Sequence, residues 1–105
     1  MGDIAAEIDA TVCLITTEAG GRRTPIGTDV GEYRCPVGLD GEYFDCRLVA
    51  RDSTAIAPGE CADVSIQFLF PELALPHVAV GKELTLWEGR TIATGLITNV
   101  RASSV

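Results

Sequence analysis

Asp40-Gly41 is the feature that most constrains how this chain can fold. The dipeptide is a strong two-residue hairpin turn, flanked by the β-rich runs Tyr33 to Leu39 and Glu42 to Val49. If those two residues form the loop, the register of the hairpin follows directly. Val37 then lies opposite Phe44, Cys35 opposite Cys46 and Tyr33 opposite Leu48, and all six side chains share one face. A slip of one residue would turn that apolar set toward water, so turn chemistry and hydrophobic pattern specify the same pairing.

The remaining segments read as further strands. Ile4, Ala6, Ile8, Ala10, Val12 and Leu14 alternate with Glu7, Asp9, Thr11 and Cys13, which predicts a long strand with one buried face. Gly20-Gly21 breaks it, and Thr24-Pro25 holds the chain extended. After the turn at Pro58-Gly59, Ala62, Val64, Ile66, Phe68 and Phe70 alternate with Asp63, Ser65 and Gln67. Pro71 and Pro76 bracket Glu72 to Leu75, so the segment to Val80 is expected to be a loop covering one barrel end, too broken for a stable helix. A strand beginning at Gly81 places Leu84 and Leu86 inward and Thr85 outward. Glu88-Gly89-Arg90 then turns the chain into a closing strand, Thr91 to Val100. Gly95 within it marks either a bulge or a close backbone approach. The tail from Arg101 to Val105 is expected to be mobile.

Short strands at regular spacing with no amphipathic helix predict an all-β fold. The expectation is a single six-stranded antiparallel closed barrel of Greek-key type over residues 1–105, with its ordered core at about 4–100. Closure suits a chain with few lysines to protect exposed sheet edges. Length and composition agree: 105 residues make one domain, and 47% hydrophobic against 22% charged residues is a globular balance.

Several function classes are disfavoured by the same sequence. No apolar run approaches the ~20 residues of a membrane helix. The N-terminus carries Asp3, Glu7 and Asp9 instead of a basic start and an apolar run, which reads as a cytoplasmic protein with no membrane partner. Fifteen acids against eight bases leave a net charge of -7, which repels polyanions at long range. In that setting Cys13, Cys35, Cys46 and Cys61 are expected to be buried thiols, and they lack the Cys-x-x-Cys spacing of a zinc site. No phosphate-binding loop, catalytic constellation, metal-loop pattern or cofactor motif is present, so the reading is non-enzymatic.

Short motifs in the same order resemble the third domain of translation elongation factor Tu. They are Gly20-Gly21-Arg22-Arg23-Thr24-Pro25, Tyr33-Arg34, Pro58-Gly59-Glu60, Leu69-Phe70-Pro71 and Glu88-Gly89-Arg90-Thr91-Ile92-Ala93-Thr94-Gly95. Arg23 stands where that family has histidine, and Trp87 where it has arginine. The resemblance runs from about Asp9 to Val100 and implies a stand-alone copy of that C-terminal barrel, which in the family packs on a second barrel and contacts tRNA. It implies a role linked to translation, with Gly21, Arg22, Arg23, Glu88, Gly89 and Arg90 matching the family's tRNA-facing turns; with Arg34, the arginines among them are the candidates for an RNA-binding module. Arginines at glycine-rich turns suit phosphates, since backbone amides can approach and guanidinium groups bind in a bidentate manner.

Two further sets of residues stand out. Trp87 falls on the outward phase of its strand. It reads either as an anchor for a protein partner or as a barrel-end residue covered by the loop that follows Pro71. With Glu88, Arg90, Leu75 and His77 it makes the candidate surface for a protein partner or for a second copy in a homodimer. His77, the only histidine, has no nucleophile motif to serve. Cys35 and Cys46, opposed in the hairpin register, could form a disulfide, a redox switch or half a metal site, although the apolar face favours two reduced thiols.

Overall fold

The computed structural model of the chain describes residues 6–27, 33–50 and 55–101. Ile4 and the tail beyond Arg101 lie outside them. Six strands form the barrel: β1 (Ile8–Leu14), β3 (Tyr33–Leu39), β4 (Glu42–Ala50), β6 (Cys61–Phe68), β7 (Glu83–Trp87) and β8 (Thr91–Val100). They close in the order β1-β6-β4-β3-β7-β8, with every pairing antiparallel. The β3, β4 and β6 meander returning beside β1 is a Greek key. Two short strands, β2 (Ile26–Gly27) and β5 (Ala55–Ile56), pair separately.

The hairpin has the expected register. Tyr33 pairs with Leu48, Cys35 with Cys46 and Val37 with Phe44. Asp40 and Gly41 have φ of 54° and 79°, the double left-handed geometry that a type I′ turn demands. Inward-facing Ile8, Ala10, Val12, Leu14, Val64, Ile66, Phe68, Leu84 and Leu86 meet in the barrel interior. Ile26 and Ile56, which no pattern in the sequence marks, are fully buried in the same cluster. Burying each contributes about 1.5–3 kcal/mol.

Several expectations are corrected. The strand that carries Phe68 stops there, so Phe70 is exposed and not inward. Pro71 opens one turn of α-helix, α1 (Pro71–Ala74), followed by a 3₁₀ turn at Leu75–His77. Proline suits a first helical position because that N–H has no intrahelical partner, so the bracketing prolines permit this short cap. Ala74 is buried and Val78 packs on the core, so the segment does cover the barrel. Gly95 is a close approach: a Cβ there would lie 2.7 Å from the Thr11 carbonyl oxygen. The irregularities in β8 fall instead near Ile92 and Thr98, where its pairing with β7 and with β1 shifts.

The cysteines also depart from expectation. Cys13 and Cys61 form a disulfide between directly opposed positions of β1 and β6. Their Cα atoms lie 3.9 Å apart, the close approach of a narrow antiparallel pair. Cys35 and Cys46 are buried free thiols. Counting outward from the closing pair Leu39 and Glu42, they occupy a hydrogen-bonded position, where side chains stand farther apart. Cys46 Sγ donates to the Cys35 carbonyl at 3.2 Å. Contact with Cys35, and then burial, pushes the Cys46 thiol well up, which leaves it inert as a nucleophile.

Asp9 lies on the polar face of β1 yet is only 4% exposed. Arg101 clamps it with Nε on Oδ2 at 2.9 Å and Nη2 on Oδ1 at 2.8 Å. Ser65 and Asn99 donate to the same carboxylate. The Arg101 backbone N–H also donates to Glu7, so this residue is fixed and not the start of a mobile tail. Burial alone would raise the Asp9 pKa, but hydrogen bonds from Arg101, Ser65 and Asn99 outweigh it and hold the carboxyl below its ordinary value.

Two outcomes test these contacts. Replacing both Cys13 and Cys61 by serine should lower unfolding free energy by about 2–4 kcal/mol, read as an earlier denaturant midpoint. The stability that Asp9 contributes is present above the unfolded carboxylate value of about 3.9 and is lost as pH falls through the lower folded value. The Asp9→Asn variant should therefore melt earlier near neutral pH yet lose less Tm than the parent on acidification, as followed by circular dichroism.

Candidate interaction surface

The two sequence signals about Gly21 and Glu88 meet at one end of the barrel. A turn at Thr16 to Gly21 packs back on β1, with the Gly20 and Gly21 amides donating to the Thr17 and Thr16 carbonyls. Gly21 is buried, and a Cβ there would lie 2.1 Å from the Ile15 carbonyl oxygen. Its amide and its lack of a side chain therefore serve the turn itself.

Arg22 binds both loops together. Its Nη1 contacts both carboxylate oxygens of Glu88, at 2.7 and 2.6 Å, and the Tyr33 hydroxyl at 3.2 Å. Its Nε donates to the Thr24 carbonyl and its Nη2 to Thr24 Oγ1 and the Pro25 carbonyl. The guanidinium carbon also sits 5.6 Å from the Tyr33 ring centre. All three guanidinium nitrogens are engaged. Arg90 donates to the Gly21 carbonyl at 3.3 Å, a second tie between the same loops. Of the arginine-turn positions, Gly21, Arg22, Gly89 and Arg90 are thus brought together, but all three guanidinium nitrogens of Arg22 are spent on internal bonds, whereas Arg90 is exposed and ties one nitrogen to the Gly21 carbonyl. Arg23 is exposed on the same loop, and Arg34 lies exposed on β3 opposite Arg47.

The opposite end is built around the hairpin turn. Asp40 accepts from Lys82 at 2.6 Å and bonds His77 Nδ1 at 2.9 Å, while His77 lies against the Phe44 ring with centres 5.2 Å apart. Hydrogen bonds from Lys82 and His77 hold the Asp40 carboxyl below the usual carboxylate range. His77 thereby fastens the helical cap to the hairpin, and Leu75 is half-buried beside it.

The five partner-surface positions accordingly divide. Leu75 and His77 lie at the hairpin-turn end, Glu88 and Arg90 at the Arg22 end, and β7 runs about 16 Å between them. Trp87 belongs with neither loop. It is 37% exposed on the barrel wall, in tilted contact with the Tyr43 ring, with ring centres 5.6 Å apart and planes inclined at 50°. Tyr43 is 56% exposed. Leu96 on β8 adds an exposed apolar residue to the same wall, and Leu69, Phe70 and Leu73 form a separate exposed group around α1. Tyr43 and Leu96 were legible only as outward-phase positions, since their clustering depends on strands joined through β7.

Compared with models of known protein families and with curated proteins, the chain finds no match. The Arg22 brace makes a specific prediction. Arg22→Ala should cost about 1–3 kcal/mol, and a double-mutant cycle with Glu88→Ala should give a coupling energy of about 0.5 kcal/mol or more, measured by denaturant unfolding.

Proposed function

We propose that this chain is a non-enzymatic binding module that engages a protein partner through the wall face centred on Trp87. The observation that carries the reading is the exposed Trp87–Tyr43 pair on a barrel whose strands are all paired. Aromatic residues held in a fixed geometry supply large contact area at little entropic cost, and tryptophan is enriched among binding hot spots.

The resemblance to the third domain of elongation factor Tu extends the proposal to a role in translation and a cytoplasmic setting. The ordered motifs support that extension, as does a six-stranded antiparallel barrel. Reduced Cys35 and Cys46 suit such a setting, whereas the Cys13–Cys61 bond suits a more oxidising one. RNA binding through the arginine turns is the weaker reading, because the Arg22 nitrogens and the Gly20 and Gly21 amides are already bonded within the chain.

The test is affinity capture with and without RNase, using the parent chain and Trp87→Ala. A protein that survives RNase and is lost with Trp87→Ala meets the expectation. Recovery of tRNA that is lost with Arg23→Ala, and kept by Trp87→Ala, would replace this reading with the RNA one.

A further inference from the structure

We infer that the partner of the Trp87 face presents a short extended segment bearing lysine or arginine, seated in a trough that crosses β8, β7, β3 and β4 beside Trp87 and is lined by Tyr43, Leu96, Glu83 and Glu42. This rests on the reading of Trp87 as an interaction anchor and adds the chemistry of what it binds.

The trough follows from strand alternation. Trp87, Thr85 and Glu83 point outward from β7, spanning about 13 Å. Small residues lie beside them. Gly38 on β3 pairs with Thr85, whose Oγ1 occupies the place a Cβ would need, and Tyr43 pairs with Gly38 from the far side. On the other flank Leu96 of β8 pairs with Glu83, and Thr94 with Thr85. The resulting depression has a volume of about 650 Å³. Its lining includes Tyr43 on β4, Leu96 on β8, and Thr11 and Cys13 on β1, while Trp87 lies just outside it against the Tyr43 ring.

Charge selects the occupant. Among the described residues, Asp40, Glu42 and Glu83 line the trough and no lysine, arginine or histidine does. Asp40 is taken by Lys82 and His77, and among the described residues Glu42 has a 3.9 Å approach from His77. Glu83 makes no ion pair among the described residues and stands exposed beside Leu96. A cationic side chain seated there gains from Glu83 and Glu42, with the Tyr43 ring in the same lining. Its aliphatic stem would lie on Leu96 and Tyr43.

A second copy of this chain would bring net charge -7 against the same acidic lining, and a nucleic acid would bring phosphates. Both are opposed by the field that favours a basic segment. An added β-strand is also excluded on this wall, since β3, β4, β7 and β8 are each paired on both sides. Recognition must come from side chains.

Trp87 is the only tryptophan, so its fluorescence reports on this face alone. The full chain is titrated with a short synthetic peptide of alternating lysine and leucine, and separately with its glutamate–leucine counterpart. A saturable change in emission is expected with the lysine peptide and not with the glutamate peptide. Its Kd should rise by about tenfold or more in Glu83→Lys, and again as salt is raised. Glu42→Lys is the second variant, and circular dichroism confirms that both keep the barrel. An equal response to both peptides, no response to the lysine peptide, or unchanged affinity in both variants overturns the inference. A captured protein lost with Trp87→Ala but indifferent to Glu83→Lys and Glu42→Lys would overturn the basic-segment inference and leave the interaction reading standing. A captured protein that is kept by Trp87→Ala overturns the interaction reading itself.

Discussion

The double pairing of β1 is the constraint on which the rest depends. With β6 on one side and β8 on the other, this strand joins the first part of the chain to its last and turns an open sheet into a barrel. The β1–β6 seam is secured on its outer face by successive opposed pairs: Asp9 with Ser65, Thr11 with Asp63 at 2.6 Å, and Cys13 with Cys61. On the β8 side Asn99 and Arg101 converge on the same Asp9. A buried carboxylate would destabilise this seam if left alone. Surrounded by donors from Ser65 on one side and from Asn99 and Arg101 on the other, it favours one register of closure.

Once the wall is closed, its two ends become the places where loops must be anchored. Charge is used there in different ways. Arg22 gathers Glu88, Tyr33, Thr24 and Pro25 at one end, and Asp40 gathers His77 and Lys82 at the other. Each centre ties loops remote in sequence, such as Arg22 and Glu88, 66 positions apart. These contacts are partly exposed, so their role is to select loop positions more than to supply much of the folding energy, which comes from the apolar interior.

What the sequence discloses follows from how local each determinant is. The β3–β4 register is legible because Asp40-Gly41 dictates a turn and the apolar alternation beside it allows one pairing. The inward phases of Val64, Ile66, Leu84 and Leu86 are legible for the same reason. The Cys13–Cys61 bond is hidden, because β1 and β6 become neighbours only through the closure of a Greek key, across 48 positions. Phe70 follows the alternation on paper, but the chain leaves the sheet after Phe68. Arg101 reads as tail because nothing local shows that Asp9 lies beneath it. In the candidate surface Trp87 was visible as an outward residue, whereas Tyr43 and Leu96 join it only through lateral strand order.

This distinction bears on how residues should be carried across from a resemblance. Arg22 and Gly21 occupy the strongest of the motifs that suggest phosphate contact, yet their geometry explains them without any ligand. The glycine admits the Ile15 backbone, and the arginine satisfies a carboxylate, a phenol and two carbonyls. A motif kept because it braces a barrel end can outlast any function performed at that end. Trp87 differs in kind. It is an indole more than a third exposed, resting on another exposed ring, and the interior would be no less closed with a smaller residue there. The proposed interaction therefore rests on the wall, where aromatic area is exposed, and not on the braced ends.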